Sequence, residues 1–241
     1  MGSAAALLTS ECRYRSRSGN WVTTCLGDAV ATDMVRGLPA REFPTYRGQR
    51  NYPGWLWMST TGTLVGYESL RELDRLLLAD FDPAVTWVSS QPFWVSGRDG
   101  SVLRRHVPDF LLQTTNGFVV VDVKPVELLK DAKVAAVMLW ARKLCDAKGW
   151  RYGVWSGDDP VLLRNIRFLA TARRGELAAE DAMGKVAEAA RAGMTIAQVE
   201  AAAGVEIDQA RSASLVLLWR RRWSIDLTRP LTGSSLIRDV A

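Results

Sequence analysis

The sequence predicts an α/β fold, in which a mixed β-sheet is flanked by helices and followed by a smaller helical domain. Three observations indicate this fold: a β-hairpin signal near the middle of the chain, an amphipathic helix before it, and a helix–strand–helix order after it. Helices on the faces of a sheet bury its apolar side chains around one core. With 241 residues, of which 48% are hydrophobic, the chain is long enough to form that core.

The hairpin signal consists of two apolar runs joined by turn residues. The runs Phe110–Gln113 and Phe118–Val121 flank Thr115-Asn116-Gly117. Asn-Gly between apolar runs is the strongest short-range indication of a hairpin. We therefore expect two antiparallel strands here, with their outer ends close together.

Charged residues lie at those outer ends. Asp109 begins the first strand, and Asp122 and Lys124 lie two residues apart at the end of the second strand, so both are predicted to point to one face. Carboxylates beside an ammonium group suit a divalent cation such as Mg²⁺, which prefers oxygen ligands. The pattern Pro108-Asp109, spacer, Asp122-x-Lys124 resembles the PD-(D/E)xK core of restriction-endonuclease-like nucleases. The alternative is a surface hairpin whose Asp and Lys side chains are merely solvated.

An amphipathic helix is predicted before the hairpin, from Tyr67 to Phe81. Glu68 and Glu72 are one turn apart and therefore share a face, which makes either of them a candidate third acid of the site. The alternative is an ordinary helix with a charged outer side. The apolar positions that recur at helical spacing and should face the core are Leu70, Leu73, Leu76, Leu77 and Phe81.

Five short motifs stand in order along the chain, and together they resemble the TnsA-like endonuclease subunit of heteromeric transposases, within the PD-(D/E)xK nuclease superfamily. The resemblance covers roughly residues 43–174 well and the remainder more loosely. The motifs are Glu68-Ser69-x-x-Glu72, Asp80-Phe81-Asp82-Pro83, Gln91-Pro92-Phe93, His106-Val107-Pro108-Asp109-Phe110 and Val121-Asp122-Val123-Lys124-Pro125.

This resemblance implies a Mg²⁺-dependent DNA endonuclease, with Mn²⁺ as a possible substitute, that cuts the 5′ ends of a transposon. It also implies two partners, a DDE-type transposase that cuts and joins the 3′ ends and an AAA+ ATPase regulator. The implied catalytic residues are Glu72, Asp109, Asp122 and Lys124, and the implied metal ligands are Glu72, Asp109 and Asp122, with Glu68 as the alternate. The position of Asp122 is Gln in the best-known family member, so its role as a ligand rests on the general nuclease pattern.

Contacts with double-stranded DNA are predicted for polar residues near this site. His106, the sole histidine, could contact a phosphate or act as a base, whereas a hydrogen-bonded structural role is the simpler interpretation. The candidate DNA-binding residues are Arg47, Arg50, Gln91, Arg104, Arg105 and His106.

Three segments are predicted along the chain. Residues 1–42 are expected to form a partly irregular N-terminal arm whose Arg13, Arg15 and Arg17 either grip phosphates or are solvated. Residues 43–174 form the nuclease domain. Residues 175–241 form a helix-turn-helix or winged-helix-like domain, with Thr195 and Asp208 as helix caps. That domain is expected to contact DNA, to dock the ATPase partner, or to serve only as a structural cap.

Composition excludes several other classes. Three cysteines without a Cys-x-x-Cys motif argue against a disulfide scaffold or a zinc ribbon. Without a run of about twenty apolar residues no transmembrane helix is expected, and a cytoplasmic, nucleoid-associated protein is predicted. A net charge of +5 is compatible with a polyanionic partner. The rival functions are a stand-alone nuclease, such as a restriction enzyme or resolvase, and a non-cleaving adapter between DNA and proteins.

Overall fold

The structure, a computed structural model, describes residues 4–41 and 52–240. It divides into two compact units, Met1–Gly157 and Asp158–Ala241, each of which is described separately below. Within the described ranges, no helix combines the length and the apolar character needed to cross a membrane.

The first unit combines short strands with helices. Its strands are β1 (Glu11–Arg15), β2 (Trp21–Cys25), β3 (Gly54–Met58), β4 (Thr63–Tyr67), β5 (Val85–Ser90), β6 (Trp94–Asp99), β7 (Val102–His106), β8 (Phe110–Thr114), β9 (Gly117–Val123) and β10 (Arg151–Trp155). Its helices are α1 (Ala4–Leu8), α2 (Ala31–Arg36), α3 (Leu70–Phe81) and α4 (Ala132–Lys148), and a 3₁₀ turn over Leu128–Lys130 precedes α4.

A mixed sheet with the strand order β10-β9-β8-β5 lies at the centre of this unit. Strand β10 runs parallel to β9, whereas β8 is antiparallel to both β9 and β5. The predicted hairpin is confirmed, because Thr114 pairs with Gly117 across a two-residue turn. Gly117 has a φ of 96°, a conformation that glycine adopts without steric cost. The predicted α/β class, with a mixed sheet, is therefore confirmed.

Helix α4 covers one face of the central sheet. Leu111 pairs with Val120 across β8 and β9, and both belong to one buried cluster with Trp140 and Leu144 of α4. Asp131 caps the helix, since its side chain accepts hydrogen bonds from two backbone N–H groups of the first turn. The 3₁₀ turn over Leu128–Lys130 is a separate element that ends at this cap.

Helix α3 begins with hydrogen bonds between its N-cap residue Ser69 and Glu72. The hydroxyl of Ser69 accepts from the backbone N–H of Glu72, and the Glu72 carboxylate accepts from the Ser69 hydroxyl and the Glu68 backbone N–H. The helix buries Leu76 and Leu77 as predicted. Leu70, which was expected to face the core, is 54% exposed, because it occupies the first helical position and points away from the packed stripe.

The N-terminal residues form a second, antiparallel sheet with the order β2-β1-β6-β7. The expectation of an irregular arm was therefore wrong for Arg13 and Arg15, which lie in β1 and pair with β2. Cys12 and Tyr14 alternate with these arginines and are buried in the core cluster. This alternation of polar and apolar residues is the signal of a half-buried strand. Strands β3 and β4 pair with each other in a separate ribbon.

The second unit is mainly helical. It contains α5 (Pro160–Leu169), α6 (Glu180–Ala189), α7 (Ile196–Ala202), α8 (Ile207–Trp219), and the short strands β11 (Trp223–Ser224) and β12 (Asp239–Val240), which pair with each other. Thr195 forms a capping box with Gln198, as predicted for a cap, whereas the N-cap of α8 is Glu206 and Asp208 lies in its first turn. The sequence placed the boundary after residue 174, but the structure groups α5 with this unit, where Asn165 donates to two backbone carbonyls of the C-terminal segment.

We expect the three thiols to differ sharply in reactivity. Burial raises the pKa of Cys12 and of Cys145 to about 12, so neither thiol forms the reactive thiolate near neutral pH. Cys25 is partly exposed. Iodoacetamide labelling at pH 8, followed by peptide mass spectrometry, should modify Cys25 in the native protein and the other two only in denaturant. Labelling of native Cys145 at the rate of Cys25 would contradict the packing of α4 against the sheet.

Candidate active site

A cleft of about 540 Å³ opens beside the ends of β8 and β9. Its lining combines acids, bases and an indole, which is the composition expected of a site for a charged substrate. The residues that line it are Arg41, Glu68, Glu72, Gln91, Trp94, Arg105, His106, Val107, Asp109, Lys124, Lys133, Val134, Val137 and Met138.

Asp109 lies immediately before β8 and is held from both sides. Its backbone carbonyl accepts a hydrogen bond from the N–H of Gln91, at 2.8 Å. Its Oδ2 atom accepts from the backbone N–H of Val123, at 2.7 Å, and from Nζ of Lys124, at 2.9 Å. Burial raises the pKa of Asp109, and the ammonium group of Lys124 opposes that shift only in part. This carboxylate is therefore rigidly placed and poorly solvated.

Lys124 places a positive charge directly beside Asp109. Its Nζ atom donates to Asp109 and to the carbonyl of Val123, at 3.2 Å. Burial would lower the pKa of Lys124, but Asp109 and Asp122 outweigh burial and the pKa is raised. The side chain is therefore an ammonium group at neutral pH, a donor of protons in hydrogen bonds and a compact positive charge.

The two candidate glutamates have different partners. The Glu72 carboxylate accepts hydrogen bonds from the Ser69 hydroxyl and the Glu68 N–H, and burial is the main reason for its raised pKa, with a further contribution from the charge of Asp109. Glu68 instead forms an ion pair with Arg41. The sequence left the choice between these acids open. The charges of Glu72 and Asp109 both act on Lys124. Glu68 instead is paired with Arg41 at the rim of the cleft.

Asp122 is placed differently from the other acids. Its side chain is 0% exposed and does not line the cleft. It accepts hydrogen bonds from Nε2 of His106, at 2.8 Å, and from the hydroxyl of Tyr152, at 2.5 Å. Burial opposes ionisation, but the hydrogen bonds from His106 and Tyr152 help to lower the pKa of Asp122, which is therefore a carboxylate.

Asp122 and Lys124 were expected to share a face, but their side chains contact different groups. Asp122 has the same strand alternation as Val120 and points toward the core beneath α4. Lys124 lies beyond the last residue of β9, so the alternation no longer governs it, and its amine turns to Asp109. The structure thus brings Glu72, Asp109 and Lys124 together at the cleft, with Asp122 behind them. Among the residues that the structure describes, no group of three or more His, Cys, Asp or Glu side chains is arranged to hold a metal ion.

The predicted DNA-binding residues have different surroundings. Arg105 is exposed and lines the cleft. Arg104 lies on the opposite side of β7 and pairs with Asp99 at 2.9 Å, so its charge is already compensated. His106 has the hydrogen-bonded role described above. Arg47 and Arg50 lie outside the described residues.

Gln91 is buried and has an unusual backbone conformation. It is 3% exposed and has a φ of 45°, which is uncommon for a residue other than glycine. Its side-chain oxygen accepts from Arg41, its N–H donates to the Asp109 carbonyl, and its own carbonyl accepts from Ala40. Its strained backbone therefore links the start of β8 to the N-terminal segment, and such strain is often found at functional sites.

Sequence reasoning did not identify three residues that shape this site: Arg41, Trp94 and Tyr152. Arg41 and Trp94 reach the cleft through long-range packing that no local pattern indicates. Tyr152 had a usable signal, because β10 was predicted as a strand. In the observed parallel pairing Tyr152 lies opposite Val120, which puts its ring on the same face as the Asp122 side chain.

Comparison with known families agrees with the motif order. Residues 82–157 match the family model described as TnsA-like endonuclease N terminal. No curated protein matched the chain. The matched segment contains Asp109, Asp122 and Lys124, while Glu68 and Glu72 precede it. Residues 82–157 are therefore similar to the N-terminal domain of TnsA-like endonucleases.

Proposed function

We propose that this protein is a Mg²⁺-dependent DNA endonuclease, the subunit of a heteromeric transposase that cuts the 5′ ends of the element. One observation carries the proposal: the Lys124 ammonium is held against the Asp109 carboxylate in a cleft that Glu72 also lines. A partly buried carboxylate and ammonium group in mutual contact in a cleft, with shifted pKa values, are typical of catalytic sites. The family match supports a nuclease rather than another phosphodiesterase.

The donor set of the cleft fits a hard divalent cation. Glu72 and Asp109 are close enough for each charge to disfavour the other, and burial raises the pKa of both. A cation held between them would relieve that repulsion. Mg²⁺ commonly takes one or two carboxylates together with waters and substrate phosphate, so two acids suffice, and Mn²⁺ accepts the same oxygens. Bound there, Mg²⁺ would activate water and neutralise charge on phosphate oxygens. Asp122 as a third ligand stays a prediction from sequence.

The other residues of the cleft are proposed to position the phosphodiester and to stabilise its charge during hydrolysis. Water attacks the phosphorus atom, the bond from phosphorus to the 3′ oxygen breaks, and a 3′-hydroxyl and a 5′-phosphate result. Lys124 would donate a hydrogen bond to the phosphoryl oxygens as their charge grows. Val123 N–H and Gln91 N–H keep Asp109 in place during this step. Arg105 and Lys133, which line the same cleft, would contact neighbouring phosphates.

The partners follow from the family. A DDE-type transposase would process the 3′ ends of the same element, and an AAA+ ATPase would connect both enzymes to target DNA. The second unit, with its capped helix α7 and following helix α8, is proposed as a winged-helix-like module that docks one of these partners or DNA. A stand-alone nuclease would use the same cleft without the partners.

A second candidate function is a non-cleaving adapter that bridges DNA ends and proteins. It is favoured by one observation: the Asp122 carboxylate is engaged by His106 and Tyr152 and does not line the cleft, where Glu68 is paired with Arg41. An adapter, however, gives no reason for Lys124 to be partly buried beside Asp109, because an isolated structural pair of this kind seldom adds stability.

We expect Asp109→Ala and Lys124→Ala each to abolish strand cleavage, because each removes a charged group from the reacting phosphate. The measurement is Mg²⁺-dependent cutting of a labelled duplex that carries a transposon end, with the transposase and ATPase of the same element present. Lys130→Ala, which removes an exposed lysine away from the cleft, is the matched control and should cut normally. Circular dichroism should show that all three variants are folded.

A metal titration separates an inactive site from missing partners. Mn²⁺ is titrated into the wild type and Asp109→Asn with a short duplex present, and bound metal is followed by electron paramagnetic resonance. Binding in the wild type alone supports the nuclease. Equal binding, or none, in both proteins would transfer the assignment to the adapter.

The two glutamates should separate on substitution. We expect Glu72→Gln to reduce cleavage by on the order of 100-fold, the scale of losing one electrostatic contact to a reaction centre. The Ser69 hydroxyl still caps the backbone N–H of residue 72, so the helix should remain intact. Glu68→Gln only weakens the pair with Arg41 and should cut at nearly the wild-type rate. A larger loss in Glu68→Gln than in Glu72→Gln would reverse the assignment of the helix acid.

Asp122 should matter more for stability than Asp109 does. Asp122→Ala leaves His106 and Tyr152 without their buried partner, which should lower the free energy of unfolding by about 3–5 kcal/mol. Asp109 borders the cleft, with 13% of its side chain exposed, so Asp109→Ala should cost less. Urea denaturation followed by circular dichroism measures both. Equal midpoints for the wild type and Asp122→Ala would show that this buried cluster does not stabilise the fold.

A further inference from the structure

The sheet β2-β1-β6-β7 has one face turned away from the core. Cys12 and Tyr14 of β1 are buried, so the alternating residues Arg13 and Arg15 lie on the other side. We call this side the outer sheet face, and define it by Arg13, Arg15, Trp21, Trp94 and Arg105.

The strand register brings two indoles to either side of one guanidinium group. Trp94 lies directly opposite Arg13, and Trp21 lies opposite Arg15, so both rings are on the same face as the arginines. The guanidinium carbon of Arg13 is 5.2 Å from the centroid of the Trp21 ring. Trp21 is 48% exposed and Trp94 is 38% exposed, which is a large apolar area to leave in water.

A hollow of about 430 Å³ lies on this face, with Trp21, Arg13, Trp94 and Arg105 in its lining. Among the described residues that line it, Glu11 is the one acid. The indole N–H of Trp94 donates to the carbonyl of Ala40, at 3.0 Å, which fixes the orientation of the ring. The hollow is therefore a preformed, mainly basic and aromatic surface.

The outer sheet face is continuous with the candidate active site. Trp94 and Arg105 line both the hollow and the catalytic cleft. A polymer whose phosphate occupied the cleft could therefore extend along Trp94 and Arg105 onto this face. This continuity argues for nucleic acid rather than for a protein partner as the occupant.

The chemistry of the face indicates which form of nucleic acid it would bind. Guanidinium groups contact phosphates in either single strands or duplexes. Exposed indole rings gain stacking energy only from bases whose faces are accessible, which in a duplex are covered by their neighbours. Two exposed rings beside arginines are therefore better explained by unpaired nucleotides.

We propose that the outer sheet face binds a single-stranded DNA segment next to the scissile phosphate, with bases stacked on Trp21 and Trp94 and phosphates on Arg13 and Arg105. The choice of DNA rests on the proposed function. Such a segment would be present where the DNA flanking the cut is unpaired. Strand preference at the cut would then come partly from this face, outside the catalytic residues.

The test measures binding of a short fluorescent single-stranded oligonucleotide to the full-length protein by anisotropy, without added metal. Trp21→Ala should weaken binding about ten-fold, the scale of losing one stacked base. Trp21→Phe keeps an aromatic face and should recover most of that loss. Trp55→Ala is the matched control, because Trp55 is a similarly exposed indole, at 55%, on β3 outside this face.

An abasic oligonucleotide of the same length separates stacking from charge. It retains the phosphates but lacks the bases, so the wild type should bind it more weakly than the normal oligonucleotide. Because no base can stack on residue 21, Trp21→Ala should bind the abasic probe as tightly as the wild type does. Equal wild-type affinity for both probes would overturn the proposal. Unchanged binding in Trp21→Ala would also overturn it and would assign the face to a protein partner. An equal loss of affinity for duplex and for single-stranded DNA in Trp21→Ala would overturn it as well.

The outcome is independent of catalysis. Asp109→Asn should retain Trp21-dependent binding of the single strand while cleavage is lost. If the wild type never cuts DNA but still shows this binding, the proposed nuclease function is wrong and the proposed binding by the outer sheet face is supported. If the wild type cuts a duplex and Trp21→Ala binds the single strand normally, the proposed binding by this face is wrong and the nuclease function is supported.

Discussion

Pairing of β8 with β9 sets Phe110 opposite Val121 and Leu111 opposite Val120, and the geometry of the cleft depends on this register. It brings the Val123 N–H and the Lys124 ammonium to the same oxygen of Asp109. A slip by one residue would move every side chain of a strand to the other face. Such a slip would change the length of the two-residue turn and would move buried side chains off the face on which they pack. These two features therefore fix the register.

The buried cluster of Asp122, His106 and Tyr152 supports the same register from beneath. It joins β7, β9 and β10 through two hydrogen bonds to one carboxylate. Truncation of one member would leave the others unpaired in a place without solvent, so the cluster acts as a unit. The PD-(D/E)xK pattern assigns this carboxylate to the metal, whereas its observed partners assign it to the scaffold.

The local parts of this architecture could be predicted from sequence, since the hairpin, α3 and α4 depend on residues within one turn or one helical face. The N-terminal sheet was not predicted, because Arg13 and Arg15 were interpreted by their charge alone. Their alternation with Cys12 and Tyr14 is the strand signal. The contact between Arg41 and Glu68 was also missed, because it joins residues that are distant in sequence and follows no periodicity. Long-range contacts of this kind arise from packing, which a single sequence does not reveal.

The cleft concentrates groups that oppose one another in the absence of a ligand. Glu72 and Asp109 are desolvated and mutually repulsive, and Lys124 compensates them only in part. Such an arrangement reduces the stability of the free protein, and a cation or phosphate that binds only the folded state would return that stability. The backbone N–H of Gln91 anchors the Asp109 carbonyl beside these groups. Under the proposed function, a bound cation would offset the desolvation of Glu72 and Asp109, which is why their burial is better explained by catalysis than by structural support.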